Sequence, residues 1–200
     1  LAKIKLCGMM RSADVINARD LGADYVGFVL TDGFKRSIGL GTFCELKSYL
    51  IGTETKSVGV FVDEPIENML RYYTEMLDMI QLHGSEDNDY IRSLRLHTDK
   101  PIIKAFKITS EEDVQKARDS IADYVLLDSG TGTGVTFDHS LIKDLDRPFF
   151  LAGGLTPENV GETIDELSPF AVDASTSLET EGRKDKKKMT AFVKAVKTKG

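Results

Sequence analysis

The chain has 200 residues, 41% of them hydrophobic and 29% charged, with 17 Gly, 5 Pro and a formal net charge of −6. That composition is globular, with enough chain to bury a substantial core in one domain, and it argues against a broad nucleic-acid surface, which needs clustered Lys and Arg. No apolar run approaches the roughly 18 residues that span a bilayer, so neither nucleic acid nor membrane is an expected partner.

Taken in order, the chain alternates short apolar runs with helical patterns. The first strand is predicted over Lys3 to Cys7, and the helix after it over Ser12 to Leu21 with Ser12 as N-cap. Asp24 to Leu30 is the second strand, followed by a helix over about Gly41 to Leu50. Lys56 to Val62 is the third, with a helix starting near Pro65, and Asp78 to Leu82 the fourth, with a helix from Ser85 or Glu86 to Leu96. Pro101 to Phe106 is the fifth. Ser110 with Asp113 three residues on then forms a capping box. Asp123 to Asp128 is the sixth strand, running into a glycine-rich stretch and a short helix near Asp138. Pro148 to Ala152 and Phe170 to Val172 are the seventh and eighth, separated by a helix opening at Thr156-Pro157. The last helix covers about Asp185 to Val196.

Parallel strands are covered on both faces and read as near-continuous apolar runs, as these do. Strict alternation with short loops makes a parallel sheet the economical arrangement, and no G-x-G-x-x-G follows the first strand to favour an open dinucleotide-binding sheet. Eight units of about 25 residues fit the lower size limit of a single-domain (β/α)₈ barrel, the TIM barrel.

Reactive groups of such a barrel sit at the C-terminal ends of its strands. The first strand ends in Cys7-Gly8. Side chains alternate, so burying Ile4 and Leu6 under the helices turns Lys5 and Cys7 inward. A nearby ammonium lowers a thiol's pKa and makes a thiolate available as base or nucleophile; the alternative is a small buried hydrophobe. The sixth strand ends in Asp128, an acid suited to proton donation or to capping the next turn. The Gly/Thr stretch around Gly132 resembles a phosphate cradle but lacks the Lys-Ser/Thr of a P-loop. Arg36, in the loop after the second strand, can clamp a carboxylate or phosphate. Gln81 and His83 share one face at the fourth strand end. No second His or Cys stands at metal-ligand spacing from His83, so no metal is expected.

After the last two strands, Gly153-Gly154 and the small-residue segment Asp173 to Ser177, with Ser175 and Thr176, read as a phosphate seat, because backbone donors there can approach an anion closely. Asp173 stands among the substrate-facing residues with Gln81 and His83. Cys7 and Cys44 are read as free thiols, and Cys44 as a helix core position. His97 and His139 are expected at the surface. The run Arg183 to Lys188 is read as a solvated face. The amino-terminal stretch has no apolar signal core with a cleavage site, which makes a cytoplasmic location the expectation.

Seven fragments in order, LCGMMR, VGFVL with FKRS, VGVFVDEP, QLHGSE, LLDSGTGTGVTFDH, LAGGLTPENV and VDASTSLETEGRKD, together resemble the phosphoribosylanthranilate isomerase family over almost the whole chain. The resemblance implies a barrel acting in tryptophan biosynthesis on a small phosphosugar, with no metal or organic cofactor; a monomer or homodimer is expected. It implies Cys7 as the base at ribose C2′, Asp128 as the acid at the ring oxygen, Arg36 facing the anthranilate carboxylate, and the phosphate held at Gly153-Gly154 and Ser175-Thr176. Two departures stand out: Ser177 where the family usually has Gly, and His139 where it often has an aromatic. Another phosphate-binding barrel enzyme and a non-catalytic phosphate-ligand sensor are the alternatives.

Overall fold

The computed structural model describes residues 1–128, 139–142 and 145–199. Eight parallel strands close into a barrel: β1 (Lys3–Cys7), β2 (Tyr25–Val29), β3 (Lys56–Phe61), β4 (Met79–Leu82), β5 (Ile102–Lys107), β6 (Tyr124–Asp128), β7 (Phe149–Ala152) and β8 (Ala171–Ala174). Each strand pairs with the next, and β8 returns to β1 in the register Lys3↔Ala171 and Lys5↔Asp173. Around them lie α1 (Ser12–Asp20), α2 (Leu40–Ser48), α3 (Ile66–Tyr72), α4 (Asn88–Arg95), α5 (Glu111–Arg118), α6 (Val160–Leu167) and α7 (Lys186–Lys197). This is the expected (β/α)₈ barrel.

Strand alternation creates two apolar layers. Ile4, Leu6, Val26, Phe28, Leu127 and Val172 face outward and pack with helix residues such as Phe43, Leu46 and Phe192. Tyr25, Val58, Met79, Ile103, Leu126 and Phe150 face the barrel axis. Phe150 meets Tyr25 and Tyr124 at ring-centroid distances of 5.6 Å each, and Tyr124 meets Phe170 at 4.8 Å. These rings fill the barrel near the strands' N-terminal ends, so an interior cavity can open only at the other end.

The acids expected to open three strands have a defined task. Asp24, Asp78 and Asp123 each sit one residue before β2, β4 and β6, and accept the backbone N–H of Ile4, Ser57 and Ile102 at 2.8, 2.8 and 2.6 Å. An edge donor at the start of each preceding strand is thereby satisfied.

Several boundaries differ from expectation. Ser12 is the first helical residue of α1 rather than its cap; Asp14 reaches back instead to accept from the N–H groups of Met10 and Arg11. Asp87 caps α4, so that helix begins after Ser85 and Glu86. The helix expected at Thr156-Pro157 starts at Val160, because the Asn159 carboxamide accepts from Thr156 N–H and donates to the Gly154 carbonyl, holding a turn there. Between β6 and β7 the described residues contain one turn of 3₁₀-helix, His139–Ile142; Asp138 lies outside them. Cys44 is exposed, since Phe43 and Leu46 take the buried face of α2. Ser110 and Asp113 form the predicted cap of α5.

Truncating the fully buried Phe150 to Ala should cost about 3–5 kcal/mol, seen as a lower urea midpoint at unchanged slope. A loss below about 1 kcal/mol would show that the inner layer does not depend on this ring.

Candidate active site

The strand ends open into one cavity of about 730 Å³. Cys7, Arg36, Gln81, His83, Asp128, Gly153, Gly154, Asp173, Ser175 and Thr176 all line it. Gly132 lies outside the described residues. The structure thus brings these described residues together at one mouth, although their chain positions span from β1 to the segment after β8.

Lys5 and Cys7 point inward as alternation requires. Lys5 is wholly buried, and its Nζ donates to Asp173 Oδ2 at 2.7 Å. Burial works against the ammonium, but the attraction of Asp173 and Cys7 outweighs it and raises the Lys5 pKa, so this side chain stays protonated. For Cys7 the balance falls the other way. Lys5 and Lys184 favour the thiolate as expected, yet burial is the larger effect and the thiol's pKa rises. The expectation of a net lowering by Lys5 is corrected accordingly.

Two glycines make room here, Gly27 for the thiol and Gly8 for the Arg36 side chain. Gly27 is the register partner of Cys7, and a Cβ on it would lie 2.5 Å from Sγ. Gly8 has φ of 80°, which lets the chain turn out of β1 directly after the thiol. Ser175 Oγ donates to the Cys7 carbonyl at 3.0 Å, tying the segment after β8 to this turn.

Across the mouth, Asp128 ends β6, with its Oδ2 3.8 Å from His83 Nε2. The Gln81 amide lies 2.9 Å from His83 Nδ1; a donor there places the ring proton on Nε2, facing Asp128. Burial lowers the His83 pKa against the pull of Asp128, so the ring is neutral at pH 7. Two buried acceptors, Gln81 Oε1 and Asp173 Oδ1, have no protein partner among the described residues. Unsatisfied buried acceptors lining a cavity suit the hydroxyl or N–H donors of a ligand.

Gly153 and Gly154 both have left-handed backbone, φ 84° and 67°, a conformation that glycine adopts without strain. They line the same cavity as Ser175, Thr176 and Ser177. Ser177 keeps a negative φ in its 3₁₀ turn while lining the cavity, so its side chain fits there without backbone strain.

Arg36 donates through Nε to Glu179 Oε1 at 2.5 Å and through Nη2 to Thr176 Oγ1 at 3.1 Å. Glu179 and its partner Lys184 were not anticipated. They belong to β9 (Glu179–Thr180) and β10 (Arg183–Lys184), a small hairpin turning through Glu181 and Gly182, both at positive φ. Lys184 is buried, contrary to the reading of 183–188 as a solvated face. The Glu-Gly dipeptide between two short polar segments was the available signal for that turn. Among the described residues, no group of three His, Cys, Asp or Glu is placed to hold a metal ion.

A parallel barrel gathering a thiol, a carboxyl, a guanidinium and a double-glycine turn at its C-terminal mouth defines an enzyme for a small anionic substrate. The sequence model of N-(5'phosphoribosyl)anthranilate (PRA) isomerase matches residues 4–195. N-(5'-phosphoribosyl)anthranilate isomerase of Thermoanaerobacter sp. (strain X514) is 41% identical over 205 aligned residues, covering 98% of each chain. The crystal structure of phosphoribosyl anthranilate isomerase from Thermotoga maritima superposes with a TM-score of 0.89 at 35% identity, over 99% of this chain and 100% of that one. A phosphoribosyl anthranilate isomerase in complex with reduced 1-(o-carboxyphenylamino)-1-deoxyribulose 5-phosphate gives 0.86 at 34% identity, with the same coverage. The chain belongs to the N-(5'-phosphoribosyl)anthranilate isomerase family.

Replacing Gly27 with Ala should displace the Cys7 side chain and lower kcat by about 10²-fold in an intact fold, because displacements near 1 Å have that effect on positioned groups. Steady-state turnover compared with the far-UV spectrum checks this; an active, well-folded variant would mean Sγ need not stay where it is.

Proposed function

We propose that Cys7 and Asp128 are the base and the acid of the isomerase reaction this chain catalyses, the Amadori rearrangement of N-(5'-phosphoribosyl)anthranilate to 1-(2-carboxyphenylamino)-1-deoxyribulose 5-phosphate in tryptophan biosynthesis. The observation that supports the assignment is that both groups, from opposite halves of the barrel sequence, line the cavity shared with Arg36 and the Gly153-Gly154 turn.

In this reading Asp128 gives a proton to the ring oxygen as the bond from C1′ to that oxygen breaks, leaving an iminium between C1′ and the anthranilate nitrogen. Cys7, as thiolate, removes the C2′ proton. The electron pair of that C–H bond forms the C1′–C2′ double bond of an enolamine and neutralises the iminium. Transfer of the 2′-hydroxyl proton to C1′ completes the aminoketone, and loss of a proton from Cys7 with uptake of one by Asp128 through solvent restores base and acid, so atoms and charge balance with no added redox partner. His83 holds its proton toward Asp128, and Asp173 Oδ1 accepts from the substrate's polar hydrogens. Gly153, Gly154, Ser175 and Thr176 seat the phosphate, and Arg36 meets the ring carboxylate. Fixing both anionic ends holds C2′ and the ring oxygen between base and acid. The working unit is a monomer or homodimer of one barrel domain, in the cytoplasm.

The test is the fall in anthranilate-adduct fluorescence as substrate is consumed. Cys7→Ala and Asp128→Asn should each reduce kcat by about 10²- to 10⁴-fold while thermal unfolding stays near wild type. Normal turnover by either variant removes that residue from the mechanism. Burial raises the thiol pKa, so the thiolate fraction grows with pH. The acidic limb of kcat/KM should therefore lie above the ordinary cysteine value of about 8.5. A limb well below that value would mean that a different group is the base.

A further inference from the structure

Past β8 the chain carries a buried ammonium to which the proposed reaction gives no proton-transfer step. Lys184 Nζ lies beneath the hairpin with its side chain 1% exposed. It donates to the Ser175 carbonyl at 2.9 Å, to Ser175 Oγ at 3.2 Å and to Glu179 Oε1 at 2.9 Å. Three donors meet three acceptors, so this cation is satisfied where it stands. Its carboxylate partner is shared, because Glu179 Oε1 also accepts from Arg36 Nε, and Lys35 Nζ lies 3.6 Å from Oε2.

Arg36 itself comes from an irregular loop between β2 and α2. A long side chain on such a loop is not positioned by its own backbone, and holding it in one rotamer costs conformational entropy. The contacts it makes are directional. Nε and Nη2 form one edge of the guanidinium, and that edge is taken by Glu179 and Thr176. The Nη1–Nη2 edge remains for a bidentate carboxylate. Charge supports the same orientation. Arg36, Lys184 and Lys35 surround one carboxylate, so the cluster keeps a positive excess in a chain whose net charge is −6. Burial opposes ionisation of Glu179, but Arg36 and Lys184 prevail and bring its pKa down to about 2, which keeps it charged at any working pH.

We propose that Glu179, braced from below by Lys184, is the positioning residue for Arg36: it aims the free edge of the guanidinium at the substrate's ring carboxylate and thereby sets the preference for anthranilate over an uncarboxylated amine. The inference rests on the reading that Arg36 meets that carboxylate.

The experiment compares kcat and KM for N-(5'-phosphoribosyl)anthranilate and for its aniline analogue, which lacks the carboxylate. In Glu179→Gln, KM for the anthranilate substrate should rise about tenfold with kcat changed less than about threefold, and the ratio of kcat/KM for the two substrates should fall about tenfold. The aniline analogue should be handled nearly as by wild type. In an Arg36→Ala background the same substitution should change the ratio no further. Because Glu179→Gln leaves Lys184 buried without its counter-ion, the paired variant Glu179→Gln/Lys184→Met, which removes both charges, is measured alongside and should show the same fall. Equal losses on both substrates, or a folded paired variant with the wild-type ratio, would overturn the proposal. A wild-type enzyme inactive on the anthranilate substrate would overturn the functional reading instead, so the two failures are distinguishable.

Discussion

A buried ion pair spans the seam where the barrel closes. Lys5 on β1 and Asp173 on β8 are register partners, their charged atoms 2.7 Å apart inside the ring of strands. Neither charge could remain there alone, since an unpaired buried ion costs several kcal/mol. The pair therefore ties closure of the sheet to the chemistry of the mouth. Lys5 stays protonated because Asp173 is opposite, Cys7 sits one alternation further along the same inward face, and Asp173 Oδ1 has no protein donor among the described residues. Closure and the site share the same residues.

The same device recurs around the rim. Lys104 on β5 is buried and donates to the Gly84 carbonyl at 2.6 Å and to Glu86 at 2.9 Å, while Glu86 accepts from the N–H groups of Gly84 and Asp63. Lys184 does the same for Ser175 and Glu179. Both of these rim ammonium groups, Lys104 and Lys184, lie under segments that follow a strand. Loops at a catalytic mouth have little apolar surface to bury, so packing alone holds them weakly. A desolvated ammonium with several acceptors fixes loop carbonyls and carboxylates in direction as well as in place.

Much of this was legible in the residues. Apolar runs separated by helical patterns gave all eight strands, since buried parallel strands leave no polar alternation. Alternation within β1 turned Lys5 and Cys7 inward once Ile4 and Leu6 were assigned to the helices. What escaped depended on contacts distant in sequence or on a small shift of phase. Cys44 was assigned to a core that Phe43 and Leu46 occupy, because one residue of helix rotation, 100°, decides between burial and solvent. Lys184 looked like part of a solvated run because its burial depends on a two-residue turn that brings Glu179 opposite it. The net direction of the Cys7 pKa needed the actual degree of burial, which sequence alternation supplies only as inside or outside.

In the proposed reading, the charge arrangement lets an acidic chain hold a substrate bearing a phosphate and a carboxylate. Long-range attraction is not available from a surface of net charge −6, and salt would screen it beyond about 8–10 Å in any case. Short-range devices remain. One is the pair of left-handed glycines at 153 and 154, which exposes backbone without adding a charged side chain. The other is the cluster of Arg36, Lys35 and Lys184 about Glu179, whose positive excess is confined to one wall of the cavity. Under the proposed assignment, separating the two anion sites by chemistry, backbone dipoles for one and a guanidinium for the other, also gives the substrate a direction. A planar guanidinium edge matches a carboxylate in a bidentate fork, whereas a glycine turn accommodates a tetrahedral phosphate from several sides. In the proposed reading, a ligand bound the wrong way round would exchange both matches at once, which favours one orientation of the sugar between Cys7 and Asp128.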